Sequence, residues 1–459
     1  MREFRILSPT AILGYGFPLA SFQAGLAKKP HLIAVDAGST DPGPYYLGEG
    51  VSFTDRQAVK RDLALMLKAG IQNKIPVIVG SAGGSGADSH LAWCRAIVDE
   101  IARDEQLSFT MAVIHAEFKP ETVLEALREG RIRPLDPAPP LNEDLVTSSS
   151  RIVGQMGVEA FVRALADHPD VILAGRSYDP AVFAALPIRL GFDPGLALHL
   201  GKILECAAIC ATPGSGSDAM FGTLYEDHFL VEPLNPDRAC TPLSVAAHTL
   251  YEKSNPSLLP GPGGRLNLNE ARFDAVSDRI VRVSGSRFEP SARYTVKLEG
   301  ARPIGYRTVS IAGVRDPFMI RAIDSVIAGV RARVADNFAD LAGRYRLLFH
   351  VYGRDGVMGP LEPAPGLDGA HELGLLIEAT ADTQAQADTI CGFARSTMLH
   401  FGYPGRRATA GNLAFPYSPS DLHAGRAYVF SLYHLLEVDD PAGPFACEWV
   451  RCGEGQPCV

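Results

Sequence analysis

Through roughly the first 215 residues the chain alternates short apolar runs with longer segments of helical period. The runs Phe4–Leu7, Leu32–Val35, Val77–Val79, Phe109–Ile114 and Val171–Ala174 are too short for helices and read as buried strands. Between them the spacing predicts helices near Leu19–Ala27, Asp55–Asn73, Ala87–Asp104, Glu121–Glu129 and Gly157–Asp167. Strands alternating with helices build right-handed βαβ units and a mostly parallel sheet covered on both faces. The expected class is α/β, with a doubly wound, Rossmann-like domain over residues 1–215.

Beyond that point the pattern changes. A helix is expected from Pro194 to Cys210, followed by a break at Thr212-Pro-Gly-Ser-Gly-Ser-Asp218. Strand-like runs follow at Tyr225–Val231, Arg279–Val283 and Tyr294–Leu298, and Leu259-Pro-Gly-Pro-Gly-Gly264 reads either as an ordered loop over an active site or as a plain connector. After Asp316-Pro317 come a long helix, strands at Leu347–Tyr352 and Leu373–Glu378, and a helix from Thr383 to His400. Helix, strand, strand, helix is half of a ferredoxin-like sandwich, so residues 216–459 are expected to form an α+β domain. Its tail, Gly411 to Asp421, is too rich in glycine and proline for a helix and is expected to run back across the first domain. A final strand is expected at Tyr428–Val438.

Each predicted strand of the first half ends in a loop with chemical content, which is where open α/β sheets bind their ligands. The second ends in Asp36, Ser39, Thr40, Asp41, Tyr45 and Tyr46; the bland alternative is that the aspartates cap turns and the tyrosines pack. The third runs into Gly80-Ser81-Ala82-Gly83-Gly84-Ser85-Gly86 ahead of a helix. Ser81, Gly83, Gly84 and Ser85 could cradle a phosphate or carboxylate there, or simply form a tight turn. The loop is neither the dinucleotide fingerprint nor a Walker A sequence, so no NAD or ATP site is assigned. At the fourth strand end, alternation puts His115 and Glu117 on one side, as a proton-transfer pair would need. The fifth ends at Arg176, suited to a carboxylate or an enolate oxygen, or else to a loop pair with Asp179. His199, Lys202, Glu205 and Cys206 fall on one face of the following helix; the first three are read as candidates for acid–base work or as part of a solvated face.

Composition narrows the classes. The chain has 459 residues, 46% hydrophobic and 21% charged, with a net charge of −9 and no long basic run, so no nucleic-acid surface is expected. No apolar run reaches the length of a membrane span and the first residues lack a signal-peptide core. A cytoplasmic location is expected, with no membrane partner. Eight cysteines without a Cys-x-x-Cys pattern are neither a disulfide framework nor a zinc site.

Four separated segments carry a family resemblance: Val35 to Gly48, Ala174 to Asp179, His199 to Cys206 and Asn412 to Asp421. In order and in residue type they resemble the acyclic terpene utilisation protein A (AtuA) family. The resemblance implies a catabolic role in a pathway of acyl-CoA thioesters and hydroxy acids, and a small companion subunit in place of a C-terminal domain found in longer relatives. The residues themselves suggest a lyase, a hydratase or dehydratase acting on a small carboxylic acid or its acyl-CoA thioester. His115 or Glu117 would be the base, Tyr45 or Tyr46 the acid, and Arg176 with the amides of Gly83 and Gly84 the holder of the carboxylate or enolate. Ser39, Thr40, Ser81, Ser85, His199 and Lys202 complete the expected binding set. A divalent cation, Mg or Mn, on Asp36 and Asp41 or Glu117 would serve the same end. Two other readings stand beside it: a serine hydrolase or acyl transferase built on Ser81 or Ser85, and a partner-dependent subunit that binds acyl-CoA or nucleotide. A homo-oligomer is expected on general grounds.

Overall fold

The computed structural model describes residues 2–251, 254–364, 369–407 and 409–453; Cys458 lies outside them. Contacts divide the chain into two compact units, Met1–Arg302 with Phe430–Val459, and Pro303–Val429.

In the first unit the five predicted strands form the parallel heart of a sheet. They are β1 (Phe4–Ser8), β2 (Leu32–Asp36), β3 (Val77–Gly80), β4 (Phe109–Ile114) and β5 (Val171–Ala174), in the order β1-β2-β3-β5-β4. Their near-continuous runs of Val, Ile, Leu and Ala are buried on both sides, as a doubly covered sheet requires. Antiparallel strands extend the sheet to ten: Met220–Leu224 pairs with β1, followed by His228–Pro233, Val281–Ser284 and Arg272–Ala275, while Cys447–Cys452 pairs with β4.

The chain therefore stays in the first sheet well beyond residue 215. Contacts draw the division at 302 rather than there, because the proline and glycine cluster at 212–217 is a turn leading into a sheet strand. The helix from Pro194 is also shorter than expected. It ends at Leu204, and a 3-10 turn at Ala207–Cys210 follows, entered through Ala207 at φ 48°.

Helices following β1, β2 and β3 bury Phe22, Leu63 and Ile97 on one face of the sheet. Those following β4 and β5 bury Val123 and Phe183 on the other. Between β3 and β5 the connections thus leave in opposite directions. The crevice past the carboxyl ends of these two strands is the topological switch point, the preferred ligand position of such sheets.

The second unit runs strand, helix, strand, strand, helix, strand. Its sheet order is Tyr345–Tyr352, Leu373–Ala381, Tyr294–Val314, Asp421–Val438, the first and last of the chain's strands here being shared across the unit boundaries. This is the ferredoxin-like arrangement. Helices Ile323–Asn337 and Gln384–Leu399 close one face, with Val326, Val330 and Ile390 packed on Leu375 and Ile377. The single long helix expected after Pro317 is two, Pro317–Arg321 and Ile323–Asn337, parted at Ala322.

The Gly411–Asp421 stretch belongs to the second unit. Asn412 donates to the carbonyls of Met398 and Phe401, at the end of the preceding helix, and Gly313 and Ala414 exchange backbone hydrogen bonds of 2.8 and 2.9 Å. Terminal helix carbonyls lack partners of their own, and the Asn412 amide supplies one.

Candidate functional site

Parallel neighbours that end in register bring the residues just past their ends together. Asp36, the last residue of β2, pairs with Gly80, the last of β3, and Val79 pairs with Leu173. Asp36, Ser81 and Arg176 consequently meet at the switch point. The glycines allow it: a Cβ on Gly86, at φ +69°, would lie 2.1 Å from the Arg176 amide nitrogen, and one on Gly38 would lie 2.7 Å from the Gly84 Cα. The loops touch backbone to backbone, which only glycine permits.

Arg176 is 3% exposed and organises the cluster. Its Nε donates to Glu299 Oε2 at 2.7 Å, and its Nη1 donates to Asp179 Oδ1 at 3.0 Å, to the Ser177 carbonyl at 2.8 Å and to Ser81 Oγ at 3.2 Å. Its Nη2 makes no hydrogen bond among the described residues. Glu299 Oε1 accepts from Thr40 Oγ1 at 3.0 Å and pairs with Lys297 Nζ at 2.8 Å. The links to solvent are Asp179 and Lys297, with side chains 30% and 21% exposed.

Burial and local charge set the protonation states. Burial pushes the Asp36 carboxyl well above its ordinary value, the neighbouring Asp179 adds to the effect, and Arg176 and the Ser81 hydroxyl offset it in part. Burial alone would raise Glu299 too, but Arg176 and Lys297 outweigh it and hold that carboxyl at about 2. Burial opposes the charge of Arg176; Glu299 and Asp179 overcome it and raise the guanidinium above its ordinary value. One carboxyl here is prepared to carry a proton and the other is locked as an anion. Asp36 Oδ1 and, nearby in the glycine loop, Ser85 Oγ are buried atoms without a hydrogen-bond partner among the described residues. Such orphans mark places where a ligand or water belongs.

Lys202 and Glu205, 2.8 Å apart and buried, border the cluster, for the Glu205 charge bears on both Asp36 and Tyr178. The Leu259–Gly264 stretch is a hairpin joining strands Leu258–Gly261 and Gly264–Asn267, and Gly261 sits against the Tyr178 ring, next in sequence to Asp179.

Other expected residues go elsewhere. His115 Nδ1 meets Asp88 Oδ1 at 2.8 Å, and Glu117 accepts the Asp88 amide at 2.7 Å. The two do converge, on the first turn of the helix Asp88–Asp104, but neither bonds to Asp36, Ser81 or Arg176. The Asp88 bond raises His115 above its ordinary value, and burial raises Glu117. Tyr45 and Tyr46 lie on the short helix Pro44–Glu49 with rings edge to face at 5.5 Å, and Tyr46 packs on Phe53. Ser39 Oγ accepts the Asp41 amide in a local turn, and Asp41 is exposed where Asp36 is buried. Among the described residues no three His, Cys, Asp or Glu side chains group as a metal site. The Gly84 amide donates to the Ser81 carbonyl, and Gly83 is packed on His90. His199 is wholly buried, bonded through Nδ1 to Ser286 Oγ at 2.6 Å and through Nε2 to Thr249 Oγ1 at 3.0 Å, and burial lowers it to about 3. It stays a neutral structural imidazole.

Sequence reasoning passed over Glu299, Lys297 and Asp88. A signal existed for the first two: Lys297 and Glu299 flank the buried Leu298 on one strand, so alternation puts both charges on one face.

Residues 55–218 match the model of a family described as "Acyclic terpene utilisation family protein AtuA". That span holds Ser81, His115, Glu117, Arg176, His199 and Lys202, and two of the four segments that carried the resemblance. No curated protein matches the chain, and no solved structure does.

Proposed function

We propose, from the match of residues 55–218 to the AtuA family model, a family of acyclic terpene utilisation and hence of catabolism, that the chain is a lyase. The reading is a hydratase or dehydratase acting on a small carboxylic acid or its acyl-CoA thioester. The observation that carries it is the Asp36 carboxyl, buried, raised well above its ordinary value and left with an orphan oxygen beside a charged, buried Arg176.

Dehydration breaks a C–H bond α to a carbonyl and a C–O bond at the β carbon, and forms the C=C bond between them. Asp36 in its acid form gives its proton to the departing hydroxyl, which leaves as water; in hydration the same carboxylate takes that proton back. Arg176 Nη2 donates to the carbonyl oxygen as negative charge gathers there. Asp179, partly exposed and held by Arg176, receives the α proton. His115 and Glu117 bond to Asp88 and are not needed for these steps.

One observation favours acyl transfer instead. Ser81 stands just past a strand at φ +46°, a strained turn of the kind that presents nucleophiles. Its Oγ, however, accepts from Arg176 and from the Ser177 amide, and no histidine bonds to it among the described residues.

The test is a panel of branched 2-enoyl and 3-hydroxyacyl compounds, followed by loss or gain of the conjugated-enoyl absorbance. Turnover by the wild type, with Asp36→Asn lowering kcat by about 10²–10⁴-fold while the variant keeps its fold, supports the lyase. Turnover left intact in Asp36→Asn, ester cleavage abolished by Ser81→Ala, or activity seen only after a partner protein is added would each overturn it.

A further inference from the structure

We propose that the reacting group enters this site as an uncharged acyl carbonyl, that is, as a thioester and not as the free carboxylate. The inference rests on the lyase reading and narrows its substrate class.

The argument is one of charge. The cations of the cluster are Arg176 and Lys297, and both are matched: Arg176 pairs with Glu299 at 2.7 Å and Asp179 at 3.0 Å, and Lys297 pairs with the same Glu299 at 2.8 Å. Two cations against two carboxylates leave a net charge of zero with Asp36 protonated and −1 with Asp36 ionised. The Lys202–Glu205 pair on the border is of opposite charges, and Glu205 adds to the negative field at Asp36. In neither state does the cluster hold excess positive charge. A substrate carboxylate would have to bind there, out of water and beside Asp36, Asp179 and Glu299, without a counter-charge.

A thioester oxygen has no such requirement. It needs one good donor, and Arg176 offers Nη2, the guanidinium nitrogen with no hydrogen bond among the described residues. Glu299 then acts as a positioning residue, and Asp179, besides taking the α proton, helps to aim the guanidinium. Glu299 on Nε and Asp179 on Nη1 hold the guanidinium on two sides and fix where Nη2 points. The phosphates of a coenzyme A group would lie outside this cluster.

The proposal is tested with matched pairs, each a branched 2-enoate of five or ten carbons and its N-acetylcysteamine thioester, a neutral probe without phosphates. Thermal shift and hydration are measured on the full chain at pH 7.5. Expected is a shift and turnover with the thioester and at least a tenfold weaker half-saturation for the acid. Acids that bind or react as well as their thioesters overturn the proposal and leave the lyase standing. Thioesters that bind without being hydrated support the proposal and overturn the lyase, and no response to any pair overturns both. Glu299→Gln and the more exposed Asp179→Asn each remove one negative charge, so either, if folded, should narrow the acid-to-thioester gap in thermal-shift half-saturation, a binding readout that needs no turnover, by tenfold or more. An unchanged gap in both overturns the charge argument.

Discussion

Asp36 and Glu299 both feel the Arg176 charge and are driven in opposite directions. Glu299 has two cations and a threonine hydroxyl to stabilise its anion; Asp36 has burial and a like charge against it. Their linkage to stability therefore has opposite signs. The depressed value of Glu299 contributes stability above its unfolded value of about 4.5, lost as pH falls toward about 2. The raised value of Asp36 contributes stability at low pH that is lost as pH rises through its folded value. Asp36→Asn should accordingly gain melting temperature relative to wild type as pH rises from 5 to 9; a difference that shrinks over that range would contradict the assignment. Glu299→Ala takes the partner from the buried Arg176 Nε and from the partly exposed Lys297 and should cost about 3–5 kcal/mol in denaturant unfolding. Asp36 and Arg176 were legible from sequence because a charged residue at the end of an apolar run is conspicuous. For Glu299 the alternation around Leu298 marks a charged face, but nothing local says that a strand far downstream will deliver it to Arg176.

At the scale of elements, the glycine loop after β3 behaves differently from its sequence appearance. Its glycines admit the neighbouring loops more than they admit a ligand, for Gly86 abuts Arg176 and Gly84 abuts Gly38. Gly86→Ala combines a left-handed backbone with a Cβ 2.1 Å from a backbone nitrogen. Expected is a loss of about 1–3 kcal/mol together with loss of ligand-induced thermal shift, because the loop that carries Arg176 must move; a stable variant with a normal shift would show that the loops do not set the site. A contrasting case is the N-terminal loop closed by Asp62, wholly buried, whose Oδ2 accepts the amides of Gly14 and Gly16. Asp62→Ala leaves two part-buried amides without their acceptor and should cost about 1–3 kcal/mol by the same measurement, with site chemistry unaffected.

Across the whole molecule, four histidines among the described residues are buried and burial lowers all of them, three strongly. Burial lowers His90 to about 4, His199 to about 3 and His248 to about 4. Unfolded, each takes a proton near pH 6.5; folded, each resists until much lower. The histidines' contribution to stability is therefore full above pH 6.5 and falls as pH drops toward 4, at about 1.4 kcal/mol per pH unit for each histidine. Melting temperature should decline steadily from pH 6.5 to 4, and His199→Gln should flatten that decline; a flat wild-type profile would mean that these rings are not buried as neutral imidazoles. No helix among the described residues is long and apolar enough to cross a membrane.

The sequence by itself determined the five parallel strands, the helices between them, the α/β class and the strand-end positions of Asp36, Ser81 and Arg176. These follow from local periodicity and from short-range breaks in it, which need no knowledge of distant residues. Only the tertiary structure decided that the chain beyond residue 215 keeps adding strands to the first sheet, that His115 and Glu117 meet Asp88, that His199 is sealed between two hydroxyls, and that Glu299 completes the cluster from a strand more than a hundred residues away. Each of those depends on which surfaces come to face one another, and pairing across long sequence separations leaves no mark on local pattern.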